Sequence, residues 1–99
     1  MPRIEESVDI EVAIEEPKMY RVLLHNDDYT SMDFVVDVLI GIFRKSRQEA
    51  EQITWYIHQQ GQAVCGIYTF EIAQMKVDQV RLYAKKEGFP LLATMEEDN

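Results

Sequence analysis

The chain has 99 residues, 46% of them apolar, which suffices for one compact domain and leaves no room for a second core. Ten basic and 18 acidic residues give a net charge of −8, which disfavours nucleic acid as a partner because its phosphates would be repelled. A single cysteine, the lack of an apolar run of about 18 residues and the lack of a secretory signal predict a cytoplasmic protein without disulfide or membrane anchor.

Residues 1–18 form an acidic segment that contains two basic residues, six acidic residues and no aromatic residue. High charge at a chain end favours an extension that is flexible in the isolated protein. However, the apolar residues from Val8 to Ile14 alternate with mostly charged ones, a period of two that is typical of a strand. The alternative is therefore a strand on a sheet edge, or one that forms only with a partner.

The remaining residues, 19–99, are predicted to form one α+β core with the element order β-α-α-β-α-β. Alternating or β-rich residues predict strands at 19–25, 62–68 and 91–95. Three stretches between them have apolar residues at helical spacing. We therefore expect three helices packed on a small antiparallel sheet.

The helix ends are marked by capping residues. Thr30, three residues before Asp33, predicts the start of the first helix, and the pair Ser46 and Glu49 predicts a capping box for the second. Gly61 is expected to end the second helix. The third helix is predicted to begin after Thr69 and to end at Gly88, just after two lysines, Lys85 and Lys86, that its dipole favours.

The most unusual local feature is the loop from Asn26 to Thr30, in which Asn26 is followed by the adjacent carboxylates Asp27 and Asp28. These residue types are most often turn formers. The loop lacks the ligand spacing of a calcium site, and a catalytic carboxylate pair would need a partner group that the sequence does not specify. From the residues alone, the loop can bind a cation, but its ligand stays open.

His58 and Cys65 are the other residues with reactive side chains. A single histidine near a helix end is more often structural than functional, and neither His58 nor His25 has a second histidine at metal-binding spacing. Cys65 could serve as a nucleophile with His58 as its base. It lies in an apolar β-rich run, however, where a small buried side chain is expected. We expect no metal or other cofactor.

Three blocks of the sequence, taken together, resemble the ClpS family. They are HNDDYTSMDFVVDVL (25–39), HQQGQAVCGIYTFEIAQMKVDQV (58–80) and PLLATME (90–96), in order and in register, so that the resemblance covers residues 19–96. ClpS proteins are adaptors of the bacterial N-end rule. They bind the exposed N-terminal Leu, Phe, Tyr or Trp of a substrate and deliver it to the N-domain of ClpA for degradation by ClpAP.

The resemblance implies a role for each residue that matches a family position. An amine-binding group would bind the substrate's N-terminal ammonium, an apolar pocket would bind its first side chain, and two residues of the third helix would contact the unfoldase. The amine-binding group is Asn26, Asp27, Asp28, Thr30 and His58; the pocket is Met32, Val35, Thr54, Ile57 and Leu91; the unfoldase contacts are Glu71 and Lys76. From the residues alone, the last two belong to an ordinary solvated helix face.

The sequence departs from the family at two positions. Ser31 replaces the usual Pro, and since Ser also begins helices well, little changes. Thr54 replaces the common Met, which in the family acts as a gate against β-branched side chains. The shorter Thr54 predicts a roomier pocket that prefers Trp, Tyr and Phe over Leu and rejects Ile and Val less firmly.

The sequence thus predicts a monomeric, non-enzymatic adaptor that binds substrate N-termini and a ClpA-type unfoldase. The rival hypothesis is a small enzyme that uses Asp27 and Asp28, or Cys65 and His58, as its catalytic pair. A third is an α+β interaction module such as the C-terminal domain of the ribosomal stalk protein, which should be indifferent to a free α-amine.

Overall fold

The computed structural model describes residues 16–99, in which three strands form one antiparallel sheet. The strands are β1 (Met19–His25), β2 (Gln62–Thr69) and β3 (Leu92–Glu97), in the order β2-β1-β3. The first strand therefore lies in the middle of the sheet, and most of its surface is covered. The alternating segment Val8–Ile14 lies outside the described residues.

Three helices follow the predicted order: α1 (Met32–Gly41), α2 (Arg47–Gln60) and α3 (Phe70–Glu87). The capping box is present, since the Ser46 hydroxyl accepts from the Glu49 N–H and the Glu49 carboxylate accepts from the Ser46 N–H, each at 3.1 Å. Gly61 and Gly88 end α2 and α3 with left-handed φ angles of 93° and 82°, a conformation that glycine adopts without strain. The predicted fold class is confirmed.

The start of α1 differs from the prediction. Its N-cap is Ser31, whose hydroxyl accepts from the Phe34 N–H at 3.1 Å, and not Thr30. Thr30 is unavailable because its hydroxyl and N–H both donate to the Asp27 carboxylate, each at 2.7 Å. Because a nearby carboxylate competes for Thr30, the N-cap lies one residue later than the sequence predicts.

A β-bulge interrupts the pairing of β1 with β2. Val22 lies opposite Gly66 and Leu23 lies opposite Val64, so Cys65 has no partner on β1. The bulge changes which residues of β2 face the helices. Ala63 and Cys65 face the helices on one side of the bulge, and Tyr68 packs against the core on the other.

The hydrophobic core lies between the sheet and the helices. Phe34 is central to it, with its ring 4.9 Å from that of Tyr83 and 4.7 Å from that of Phe89. Because Phe34 stands in the first turn of α1, this packing fixes the start of that helix and the loop before it. The largest fully buried side chains are Val22, Leu24, Val38, Leu39, Cys65 and Val80.

Candidate functional site

A cavity of about 240 Å³ opens beyond the end of β1, beside the last two turns of α2. Every residue predicted for the amine-binding group and for the apolar pocket contributes to its wall, although these residues come from four separate parts of the chain. The wall consists of His25, Asn26, Asp27, Asp28, Thr30, Met32, Val35, Thr54, Ile57, His58 and Leu91.

A backbone contact holds the polar loop against the end of α2. The Asn26 N–H donates to the carbonyl of Gly61 at 2.8 Å, and the next residue, Gln62, pairs with His25 at the end of β1. Since His58 lies less than one turn before Gly61, this contact brings the loop and the histidine to the same side of the cavity.

Asp27 fixes the shape of the loop. Its carboxylate accepts from the N–H of Tyr29 at 2.8 Å and from the N–H and the hydroxyl of Thr30 at 2.7 Å. Partial burial alone would raise the pKa of Asp27, but these three donors outweigh it and hold the pKa below its usual value. Asp27 is therefore an ordered anion at neutral pH, which does not suit the acid of an acid/base pair.

Asn26 and Asp28 present further oxygens beside Asp27. Both side chains are exposed at the mouth of the cavity, which Tyr29 flanks with 80% of its surface accessible. Carboxylate and amide oxygens suit a ligand with several N–H donors and a positive charge. The polar half of the cavity therefore suits a small cation such as an ammonium group.

The ring of His58 is held by Trp55. The two rings stack with centroids 5.6 Å apart and planes 29° apart, one turn of α2 separating the residues. Trp55 itself is 55% exposed, so the stack lies on the surface beside the cavity. The contact restricts the rotation of the imidazole, which lines the cavity.

The other half of the cavity is apolar. Met32 and Val35 from α1, Ile57 from α2 and Leu91 from the segment before β3 form its wall, and the last three are buried. Thr54 also belongs to this half and is only 4% exposed. The cavity as a whole thus fits a ligand that carries a cationic group next to an apolar side chain.

Sequence reasoning missed two residues of this region. His25 lines the cavity, and its Nε2 lies 2.7 Å from the hydroxyl of Thr94. The signal was its position directly before the polar loop. Trp55 supports His58 from a position three residues earlier on the same helix, and this spacing could have identified it.

The two predicted unfoldase contacts lie on α3, away from the cavity. Glu71 is exposed in the first turn of that helix. Lys76 is half-buried, because its ammonium donates to the carbonyl of Ile42 at the end of α1 at 2.7 Å and lies 5.6 Å from the centre of the Tyr68 ring. Lys76 therefore joins α3 to α1 as well as facing outward.

The alternative catalytic pair of Cys65 and His58 is not assembled. Cys65 is 1% exposed, does not line the cavity that His58 lines, and contacts the carbonyl of Ala63 through its sulfur at 3.6 Å. Burial raises the pKa of its thiol to about 12. A thiol that stays protonated is a poor nucleophile.

Residues 16–99 contain no group of three or more His, Cys, Asp or Glu side chains that could hold a metal ion. No helix in the same part of the chain is long and apolar enough to span a membrane.

Comparison with known proteins gives matches over most of the chain. The family model for the ATP-dependent Clp protease adaptor protein ClpS matches residues 15–94. The ClpS adapter protein of Oleidesulfovibrio alaskensis is 56% identical over 95 residues, which cover 96% of this chain and 91% of that protein. A ClpS protein of Nitratidesulfovibrio vulgaris is 51% identical over 88 residues, covering 89% and 88%.

The chain is also similar to solved structures. Agrobacterium tumefaciens ClpS2 bound to L-phenylalaninamide superposes with a TM-score of 0.81 at 37% sequence identity. The match covers 84% of this chain and 100% of the ClpS2 chain.

Proposed function

The chain belongs to the ClpS family of adaptors of the ATP-dependent Clp protease, and we propose that it captures substrates by their N-terminal residue. The preferred first residues are Leu, Phe, Tyr and Trp. The captured substrate is handed to a ClpA-type unfoldase of the ClpAP protease in the cytoplasm. The adaptor acts as a monomer and leaves the peptide unchanged.

The observation that carries this proposal is the joining of oxygen acceptors and apolar walls in one cavity. A free N-terminus places an ammonium with three donors one bond away from the carbon that bears the first side chain. Asn26, Asp27 and Asp28, with His58 through its acceptor nitrogen, receive the ammonium. The first side chain then enters the half of the cavity between Val35, Ile57 and Leu91.

Thr30 can also bind the substrate backbone at the mouth of the cavity. Its hydroxyl hydrogen is already donated to Asp27, but the oxygen keeps lone pairs that can accept from the first peptide N–H of the substrate. The ligand L-phenylalaninamide of the Agrobacterium ClpS2 structure carries the same three features: a free amine, an aromatic side chain and an amide.

Peptide binding with free and blocked amines tests capture. Peptides that begin with Leu, Phe, Tyr or Trp should bind this protein, and acetylation of the same peptides should weaken binding about tenfold or more, because the charge and two donors are lost. Equal binding of acetylated peptides would contradict the proposal and favour an interaction module indifferent to the amine. Mass spectrometry of the recovered peptide checks that it is unchanged.

Delivery is tested by removing residues 1–17. Among residues 16–99, those that line the cavity begin at His25, so peptide affinity should stay nearly unchanged. In the proposed mechanism the extension is needed for handing the substrate over, and its removal should sharply slow degradation by the unfoldase–protease pair. A parallel loss of affinity and delivery would instead indicate that the extension supports the fold.

A further inference from the structure

Thr54 carries a hydroxyl that is buried without a hydrogen-bond partner. Among the described residues, its Oγ1 is the one buried side-chain nitrogen or oxygen for which the structure shows no bond. Buried polar groups in folded proteins are nearly always bonded, since an unmade bond costs the desolvation of the group. This hydroxyl therefore needs an explanation.

Thr54 lacks the hydrogen bond that a threonine hydroxyl inside a helix usually makes. Such a hydroxyl generally donates to the carbonyl four residues earlier, which for Thr54 is that of Ala50. The structure contains no such bond, so both the donor and the acceptor capacity of the hydroxyl are unused. Because Oγ1 has almost no accessible surface, a ligand group can take them up once the Thr54 side chain turns its hydroxyl toward the cavity that it lines, a rotation that breaks no hydrogen bond within the protein.

The place of Thr54 points to the first side chain of the substrate. It lies one turn before His58 on α2, about 6 Å along the helix axis, and both residues line the cavity. The other hydroxyl of the wall, that of Thr30, is bonded to Asp27. A ligand whose amine lies near His58 therefore extends its side chain toward Thr54, between apolar neighbours.

Thr54 also separates the cavity from a second, shallower groove of about 210 Å³. Met32 and Thr54 line both spaces, whereas Trp55 lines the groove but not the cavity. The wall at this position is thus one short side chain thick. A short side chain at this position leaves more room for a bulky ring than a long side chain would.

We propose that Thr54 selects substrates whose first residue is an aromatic ring with a hydrogen-bonding atom, namely Tyr and Trp, over Phe and Leu. This inference rests on the proposed capture of N-terminal residues. The indole N–H of Trp donates to the Thr54 oxygen, and the Tyr hydroxyl either donates or accepts. Phe and Leu fill the same space but leave the Thr54 hydroxyl without a partner, which disfavours their binding.

The test is a set of peptides that differ only in the first residue, with Kd measured by fluorescence anisotropy for the wild type and for Thr54→Val. Valine has the shape of threonine without the hydroxyl. The wild type should bind the Tyr peptide about three- to tenfold more tightly than the Phe peptide, the range expected for one additional hydrogen bond. In Thr54→Val the Tyr peptide should lose affinity, the Phe peptide should gain it, and the ratio should fall to about one.

Thermal unfolding of the free protein gives a second readout. Removing a hydroxyl that has no partner should leave the Tm of Thr54→Val unchanged or raise it. A matched control is Thr69→Val, an exposed threonine outside the cavity whose side chain makes no capping bond, which should keep the wild-type peptide ratios.

Three results would overturn the inference: equal wild-type affinity for Tyr and Phe, an unchanged ratio in Thr54→Val, or a clear fall in the Tm of Thr54→Val, which would show an intrachain partner. Failure of all the free-amine peptides to bind the wild type would overturn the proposed function and the inference together. Binding that requires the free amine but does not distinguish Tyr from Phe would overturn only the inference.

Discussion

The cavity and the outer face of α3 differ in how their residues are bonded in the free protein. In the cavity, Asn26 and Asp28 present exposed oxygens beside an apolar pocket, and Asp27 is held as an anion by three donors from its own loop. On α3, Glu71 is exposed, whereas Lys76 is bonded to the carbonyl of Ile42. The cavity is thus formed before a ligand arrives, while Lys76 serves the fold as well as any partner.

Residues that were assigned from the same family resemblance can therefore respond differently to mutation. A cavity residue whose polar atoms are unused can be changed with a loss of binding alone. A residue that also bonds within the protein changes stability and binding together. The following predictions test this contrast, from the largest expected effect to the smallest.

The largest effect is expected from Asp28→Ala. It removes an exposed carboxylate from the proposed amine-binding group, so the affinity for a Leu- or Phe-initiated peptide should fall about tenfold or more, with little change in Tm. Asp78→Ala, which removes an exposed carboxylate of α3 outside the cavity wall, is the control and should bind normally. Normal binding by Asp28→Ala would remove Asp28 from the amine site.

Lys76→Met should affect stability and docking together. Methionine keeps the apolar stem but not the donor to Ile42, so the free energy of unfolding should fall by about 1 kcal/mol, or about 4–8 °C in Tm. Glu71→Gln should leave Tm unchanged, and both variants should weaken binding to the unfoldase N-domain but not to the peptide. Equal Tm values for the two variants would contradict the structural role of Lys76.

Trp55→Ala tests whether the stacked ring positions His58. Loss of the stack leaves the imidazole free to rotate, and peptide affinity should fall about threefold for all first residues alike. Trp55→Phe keeps an aromatic ring and should restore most of that loss. A change confined to certain first residues would show that Trp55 contacts the side chain instead of supporting His58.

The smallest effect is confined to acid conditions. Because the pKa of Asp27 is lower in the folded protein than its ordinary value of 3.8, the ionised carboxylate stabilises the fold above that value. This contribution is lost as pH falls from 3.8 through the lower pKa of the folded state. Asp27→Asn should therefore unfold with a weaker pH dependence in that window, measured by thermal melts. An unchanged dependence would contradict the bonding of Asp27.

The sequence predicted most of the fold because its signals are local. The capping box of Ser46 and Glu49 and the left-handed glycines Gly61 and Gly88 involve residues within one turn, and the structure contains all of them. The polar loop also stands out in the sequence. That His58 and Leu91 lie beside it, however, came from the family resemblance, since no periodicity relates positions so far apart.

The tertiary structure decided what depends on contacts between distant segments or on competition between neighbours. The sequence predicts that Thr30 caps α1, but the Thr30 hydroxyl donates to Asp27 and Ser31 caps the helix instead. The bond from Lys76 to Ile42 spans 34 positions.

The unpartnered hydroxyl of Thr54 cannot be read from local spacing, whereas the burial of Cys65 was expected from the apolar β-rich run in which it lies. The sequence by itself determined which elements form and which residue types bear polar chemistry. Only the folded chain decided which of those polar atoms remain unbonded, because a hydrogen bond made within the protein is no longer available to a ligand.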